Sequence, residues 1–173
     1  LDRHTGQPRA CVHVPHLHRV VALHYVRDHN LGQASADGIL MLGERGTIAL
    51  LDAHDLSIRW MHAGGVKGPA QYALEHDILL MLQGNNLTRF ELLTGEIQWS
   101  VQTPGSARHV LIHLERAVLL HSGAQRAQTI VRGLNLQDAR MMEEVSLDGY
   151  FLGSSCSLNE DLWLIIERNR RPV

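Results

Sequence analysis

The sequence predicts an all-β fold built from repeats of about 40 residues. The clearest repeat is Ile39–Trp60, which recurs 39 residues later as Ile78–Trp99. Each copy contains an apolar run, a polar turn, a second apolar run, an acidic turn and a strand that ends in tryptophan. Two further observations are the shortness of the apolar runs and the turn residues that follow them about every ten residues, a spacing that favours short antiparallel strands over helices.

Four apolar runs mark one strand in each repeat. The runs are Ile39–Leu42, Ile78–Leu82, Val118–Leu120 and Leu162–Ile166. They are continuous rather than alternating, which predicts strands buried on both faces. The second repeat divides into four predicted strands, near Ala70–Glu75, Ile78–Gln83, Leu87–Leu92 and Glu96–Val101. Because a four-stranded sheet of this length, covered on both faces by its neighbours, is a propeller blade, the sequence predicts a β-propeller of four-stranded antiparallel blades.

About four repeats fit in the 173 residues. The predicted boundaries are 30–68, 69–105, 106–149 and 150–173, with residues 1–12 completing the last repeat and 13–29 forming an inserted connection. This arrangement fits a closed four-blade ring or part of a larger propeller, and the sequence leaves both open. The start at Leu1, without an initiator methionine or a leader, suggests a processed or excised piece.

Composition limits the kinds of partner. The chain is 45% hydrophobic and 20% charged, as is typical of a soluble globular domain. A net charge of −2 disfavours nucleic acid and anionic membranes as partners, and no apolar run has the length of a membrane-spanning helix. Two distant cysteines, Cys11 and Cys156, argue against a disulfide framework. They favour a reducing compartment such as the cytoplasm, with the periplasm as the alternative.

The end of the third strand and the start of the fourth carry a recurring motif: an acidic residue, a Thr-Gly-like turn and a tryptophan. The motif residues are Glu91, Thr94, Gly95 and Trp99 in one copy and Asp52, Asp55, Leu56 and Trp60 in the other. This pattern resembles the repeat of the quinoprotein-type (PQQ-like) propellers. The resemblance implies that Trp60 and Trp99 are structural and dock one blade against the next. The repeat is degenerate, since Met141, Met142 and Glu143 stand around the tryptophan position of the third copy.

The resemblance also implies what a catalytic member would contain. Enzymes of that family bind the quinone cofactor near the propeller axis, together with a calcium ion, an acidic base and often two adjacent cysteines. This sequence has no adjacent cysteines, and no Asp or Glu matches the calcium or base positions. We therefore assign no catalytic residue and no cofactor, and predict a non-catalytic scaffold for protein–protein interaction within a larger protein or complex. The alternative is a fragment of a PQQ-dependent dehydrogenase whose cofactor site lies mostly outside this chain.

Three closely spaced histidines are the metal candidates. His13, His16 and His18 resemble part of a zinc ligand set, which needs three or four converging donors. In an extended strand His16 and His18 share one face while His13 points to the other, so the three converge only if the chain turns at Pro15. We interpret the stretch as a solvated loop or an edge strand and assign no metal site.

The predicted interaction loops are two insertions, Val12–His29 and His121–Gln128, and one basic cluster, Arg168, Arg170 and Arg171. Insertions of this sort lie on one face of a repeat fold, often the binding face. The candidate residues are His16, His18, Arg126, Arg170 and Arg171. Six other histidines occur about one per strand or turn and are interpreted as surface residues: His54, His62, His76, His109, His113 and His121. The expected partner is a protein of unknown identity.

Overall fold

The computed structural model describes residues 11–27, 37–64, 68–105, 107–123, 128–158 and 161–167, with the side chains of 153–158 outside the description. Every regular element within these ranges is a β-strand, which confirms the predicted all-β fold. The strands are β1 (Val20–Val26), β2 (Gly38–Gly43), β3 (Ile48–Asp52), β4 (Ile58–His62), β5 (Ala70–Glu75), β6 (Ile78–Gln83), β7 (Asn86–Glu91), β8 (Ile97–Gln102), β9 (Ala107–His113), β10 (Arg116–Ser122), β11 (Gln128–Asn135), β12 (Met141–Asp148), β13 (Tyr150–Leu158) and β14 (Asp161–Glu167).

The strands form three four-stranded sheets and one two-stranded sheet. Each sheet is a meander in which neighbours in the chain are hydrogen-bonded: β1-β2-β3-β4, β5-β6-β7-β8, β9-β10-β11-β12 and β13-β14. Because consecutive strands are neighbours in each sheet, short turns are enough to connect them. The hairpin between β6 and β7, for example, has Gln83 opposite Asn86 and needs only two residues between them, of which Gly84 has a φ of 60°. Repeated four-stranded meanders of this kind are propeller blades.

The chain divides into two compact units. The first contains residues 1–70 together with the turn 92–96, and the second contains 71–91 and 97–173. In the first unit the middle strands β2 and β3 are buried, with Leu40, Ile48 and Leu50 fully inaccessible to solvent. A small cluster covers one face of this sheet, formed by Val14, Leu17, Ile39, Met41, Ala49 and Leu51.

In the second unit, two sheets pack on each other. Leu80, Leu82 and Leu87 belong to one sheet, and residues of β9, β10 and the β11–β12 region belong to the other. The opposing buried residues are Val110, Ala117, Leu119, Leu134 and Leu136. All of these side chains are at most 7% exposed. The apolar face of each sheet is therefore buried by the other sheet.

In the second repeat, the observed strand bounds agree with those predicted from the sequence to within one residue. β5 and β6 have the predicted bounds, and β7 and β8 are shifted by one residue. In the stretch 13–29, which the sequence assigns to an inserted connection, residues Val20–Val26 form β1 and pair antiparallel with β2. Valine, leucine and tyrosine suit a pleated strand, and this local preference places β1 as the first strand of the first sheet.

One burial prediction is wrong. The central apolar runs of β2, β6 and β10 are mostly buried, but β14 alternates between half-buried and exposed side chains. Trp163 and Ile165 are 58% and 56% exposed. The reason is that β14 belongs to a sheet with only two strands among the described residues, and burial on both faces depends on cover from neighbouring sheets.

Candidate interaction surfaces

The acidic turn of the motif is an Asx-type turn. In the first sheet the Asp52 carboxylate accepts hydrogen bonds from the backbone N–H groups of His54 and Asp55, at 2.8 and 3.4 Å. The Arg59 guanidinium also binds this carboxylate at 2.7 Å and lowers the pKa of Asp52. Leu56 closes the turn with a φ of 62°. Asp52 is therefore fully engaged in shaping the turn, rather than available as a base.

The same turn recurs in the next two sheets. In the third sheet the side-chain oxygen of Asn135 accepts from the Gln137 N–H at 2.6 Å. The left-handed position of Leu56 is occupied by Gly95 in the second sheet and by Ala139 in the third, with φ values of 74° and 59°. The repeated motif therefore encodes one backbone geometry.

Trp60 lies on the turn 92–96, which belongs to the same unit. Its indole Nε1 donates a hydrogen bond to the Leu92 carbonyl at 3.1 Å. A Cβ placed on Gly95 would lie 2.7 Å or less from the indole atoms Cγ, Cδ2 and Cε3, so the ring rests directly on the glycine backbone. Glycine is thus favoured here by its positive φ, and the close approach of the ring leaves no room for a Cβ.

Trp99 makes the equivalent contact in the second unit. Its Nε1 donates to the Leu136 carbonyl at 2.7 Å, and the Arg89 guanidinium donates to the same oxygen at 2.6 Å. The ring is half-buried and packs against the cluster between the two sheets. These contacts support the docking role inferred from the resemblance, which stays a prediction until the rings are mutated.

In the third sheet, Glu143 occupies the position of the tryptophan and forms an ion pair. Glu143 binds the Arg116 guanidinium at 2.5 Å. Its side chain lies over Gly133, where a Cβ would be 3.0 Å from the Glu143 Cγ. The third repeat therefore keeps the turn but replaces the indole contact by a charged one.

The three candidate metal ligands lie in a described loop. His13, His16 and His18 are all exposed, and the chain does turn at Pro15, with the Leu17 N–H donating to the Val14 carbonyl at 3.4 Å. His16 has a φ of 60°, and its carbonyl accepts a hydrogen bond from the Thr47 hydroxyl at 3.0 Å. Across the described ranges, no three His, Cys, Asp or Glu side chains are grouped as metal ligands.

The loop candidates are only partly within the description. His16 and His18 are exposed, as a contact surface requires. Arg126, Arg170 and Arg171 lie outside the described residues. The described part of the chain contains no helix that is long and apolar enough to cross a membrane.

His121 is not a surface residue, so the sequence interpretation is wrong at this position. It is 4% exposed on β10, and neither ring nitrogen has a hydrogen-bond partner among the described residues. Burial lowers its pKa, the Arg132 guanidinium lowers it further, and Glu144 opposes the effect. The only sequence signal for burial is its place directly after the apolar run Val118–Leu120.

The outer strand of the third sheet is the most exposed strand of the four-stranded sheets. β12 is the last strand in its sheet, and seven of its eight residues are exposed. Three of them are large and apolar: Met141, Met142 and Val145 are 43%, 49% and 48% exposed. We refer to Met141–Asp148 as the β12 edge. An outer strand offers unpaired backbone groups to another chain, and its apolar side chains increase that tendency.

Comparison with known proteins identifies the fold. No protein-family model matches the chain, and no curated protein matches it at a significant level. Among solved structures, BamB from Moraxella catarrhalis matches 80% of the chain with a TM-score of 0.54 and 14% identity. BBS1N, solved in complex with ARL6DN, matches 85% with a TM-score of 0.58 and 12% identity.

The quinohemoprotein alcohol dehydrogenase from Comamonas testosteroni also matches, over 63% of the chain, with a TM-score of 0.51 and 8% identity. The chain has the fold of the PQQ-like β-propellers. It spans 44% of BamB, 49% of BBS1N and 19% of the dehydrogenase, so it corresponds to less than half of each chain. At these identities the likeness shows a shared fold and no shared activity.

The described side chains do not fit the quinone cofactor and calcium ion of the catalytic PQQ-like propellers. Calcium needs six to eight oxygen ligands, several of them carboxylates. Asp52, the acidic residue of the first motif, is bound by Arg59 and by turn N–H groups. Across the described ranges, no three His, Cys, Asp or Glu side chains are grouped to hold such an ion.

Proposed function

We propose that the chain is a non-catalytic propeller scaffold that binds other proteins, within a larger protein or complex. The observation that supports this most strongly is the β12 edge, a sheet edge with three exposed apolar side chains, Met141, Met142 and Val145. Extended segments of other proteins add to such edges by backbone hydrogen bonds, while side-chain pockets give specificity.

Two of the three acidic side chains on the β12 edge are paired within the sheet. Glu143 binds Arg116, and Glu144 binds Arg132 at 2.6 Å. Free acidic side chains on an edge strand repel an added strand, and this pairing reduces that repulsion. The flexible side chain of Met142 adapts to different contact shapes. The partner that fits this edge is an extended, largely apolar segment of another protein.

The loop residues form the second part of the proposal. His16 and His18 are exposed beside the first sheet, and we propose them as contact residues for a protein partner. Arg126, Arg170 and Arg171 are proposed as separate contact residues. BBS1N provides a precedent at the level of the fold, since it was solved in complex with another protein, ARL6DN. The alternative function, a fragment of a quinoprotein dehydrogenase, is supported by no side-chain arrangement in the described ranges.

Site-specific photo-crosslinking tests the proposal. A photoreactive phenylalanine derivative is placed at Met142, and the matched control carries it at Ile97, which is 51% exposed on the outer strand β8. In extract from the source cells we expect one discrete cross-linked protein from position 142, which Val145→Lys abolishes. Equal cross-linking from both positions, or none from position 142, would contradict the proposal.

A further inference from the structure

His121 is a titratable side chain that the fold buries without a hydrogen bond. It lies on β10 and is 4% exposed, and neither Nδ1 nor Nε2 has a hydrogen-bond partner among the described residues. A neutral imidazole in such a place leaves polar atoms unsatisfied, and an imidazolium adds a charge and a second N–H donor. Protonation of His121 is therefore unfavourable while the packing around the ring stays as it is.

The ring borders the contact between the second and third sheets. β10 pairs with β11 in regular register over its whole length, so His121 shares a face with Ala117 and Leu119. Those two residues belong to the cluster that packs the third sheet against Leu80 of the second sheet. Ala107, the partner of His121 on β9, packs against the same cluster. A change at His121 therefore acts directly on this contact.

Two charged side chains lie near His121 on the same face of the third sheet. Arg132 on β11 is paired with Leu119, and Glu144 on β12 is paired with Arg132. The Arg132 Nε donates to Glu144 Oε2 at 2.6 Å, and its Nη1 donates to the Pro104 carbonyl at 2.5 Å. Because Pro104 follows β8 of the second sheet, Arg132 ties the third sheet to the second.

The charges that act on His121 come from this ion pair. Burial lowers the pKa of His121, Arg132 lowers it further, and Glu144 raises it. Arg89 of the second sheet instead donates to the Leu136 carbonyl, beyond the opposite end of β11. The other charged residues on the strands beside His121 are both exposed: Arg108 on β9 and Asp148 on β12.

We propose that protonation of His121 opens the contact between the second and third sheets beside Pro104, so that this pair of sheets responds to acid. The imidazolium repels the Arg132 guanidinium and competes with it for the Glu144 carboxylate. Arg132 then releases the Pro104 carbonyl, and water reaches the His121 ring and satisfies its N–H groups. The inference rests on contacts within the second compact unit and does not depend on the proposed function.

The direction of the response follows from the lowered pKa of His121 in the closed contact. In the open form the ring is in water and its pKa is near the ordinary value of about 6.5. The closed contact is therefore fully stable above that pH and loses stability as the pH falls below it. Between pH 7.5 and 5.5 the ratio of open to closed forms rises by up to about tenfold.

Hydrogen exchange at pH 7.5 and 5.5, corrected for the intrinsic pH dependence of exchange, tests the proposal. In β10, β11 and residues 103–105, acid should reduce amide protection by up to about tenfold more in the wild type than in His121→Met. The control His54→Gln, at an exposed histidine of the first sheet, should behave as the wild type does.

Two results of this experiment would overturn the proposal. One is an equal loss of protection in the wild type and in His121→Met. The other is a difference between them that spreads equally over β2 and β3, because protonation would then act through global unfolding rather than through the contact between the two sheets.

Titration of the wild-type histidines by nuclear magnetic resonance supplies a test that does not depend on how His121→Met folds. We expect the His121 midpoint to lie below about pH 6.5 and to move upward in Arg132→Gln, which removes a cation that disfavours the imidazolium. A wild-type midpoint at or above about 6.5 overturns the proposal. An unchanged midpoint in Arg132→Gln overturns the role assigned to Arg132.

Discussion

Replacing Gly95 by alanine tests the contact between Trp60 and its turn most sharply. Two costs are expected. The φ of 74° strains any residue with a Cβ, by about 1–2 kcal/mol. The new methyl group would also lie 2.7 Å or less from three indole atoms, so the ring must move away. Overpacking of this kind costs about 1–3 kcal/mol, and a broken bond from Nε1 to the Leu92 carbonyl contributes about 0.5–1.5 kcal/mol of that loss.

The matched control is Gly84→Ala. Gly84 has a φ of 60°, and a Cβ there would meet nothing within 4 Å, so the control reports backbone strain alone. We expect Gly95→Ala to lower the free energy of unfolding by about 2–5 kcal/mol and Gly84→Ala by about 1–2 kcal/mol. Urea unfolding followed by circular dichroism measures both without relying on tryptophan fluorescence.

A double-mutant cycle completes the test. In a Trp60→Ala background, Gly95→Ala should cost only the backbone strain, because the ring it collides with is gone. The coupling energy between the two positions is then about 1–3 kcal/mol. Equal costs at Gly95 and Gly84, or a coupling energy within about 0.5 kcal/mol of zero, would refute the contact.

Three further changes follow from the same structure. Trp99→Ala should lower the free energy of unfolding by about 3–5 kcal/mol, because the ring docks through its hydrogen bond to the Leu136 carbonyl. A loss below about 1 kcal/mol, measured by urea unfolding, would contradict docking. Ala139→Gly should raise the free energy of unfolding by up to about 1–2 kcal/mol, because glycine removes the strain of the positive φ. An unchanged urea midpoint would contradict this expected gain in stability. His121→Met should reduce the loss of stability between pH 7.5 and 5.5. The folded-state pKa of His121 is lowered, so below about pH 6.5 the unfolded chain binds a proton that the folded chain does not, at up to about 1.4 kcal/mol per pH unit. Parallel pH profiles of the wild type and the variant would contradict this reasoning.

Elements set by local chemistry could be predicted from the sequence. The turn residues around Asp52 and Thr94 repeat because each satisfies nearby backbone N–H groups, and this local requirement shows in the sequence. The bounds of β5 and β6 follow from an apolar run bracketed by polar turns. Trp60 and Trp99 could be predicted as equivalent because they recur at the same position relative to those turns.

Burial that depends on a neighbouring sheet could not be predicted in this way. Trp163 and Leu119 both lie in continuous apolar runs, yet one is 58% exposed and the other is inaccessible to solvent. The difference comes from whether another sheet covers the strand. His121 is the converse case, a polar residue just after an apolar run that the fold nevertheless buries. For the stretch 13–29 the sequence left a loop and an edge strand open, and Val20–Val26 form the edge strand β1.

Thermal unfolding with and without saturating calcium and PQQ tests the central claim, that this propeller is a scaffold without a quinone site. A ligand that binds only the folded state stabilises it, by about 2.7 kcal/mol at a concentration of 100 times Kd. A PQQ-dependent alcohol dehydrogenase prepared without cofactor serves as the positive control. The account predicts an unchanged melting temperature for this chain under conditions that raise that of the control, and a comparable rise in this chain would contradict it.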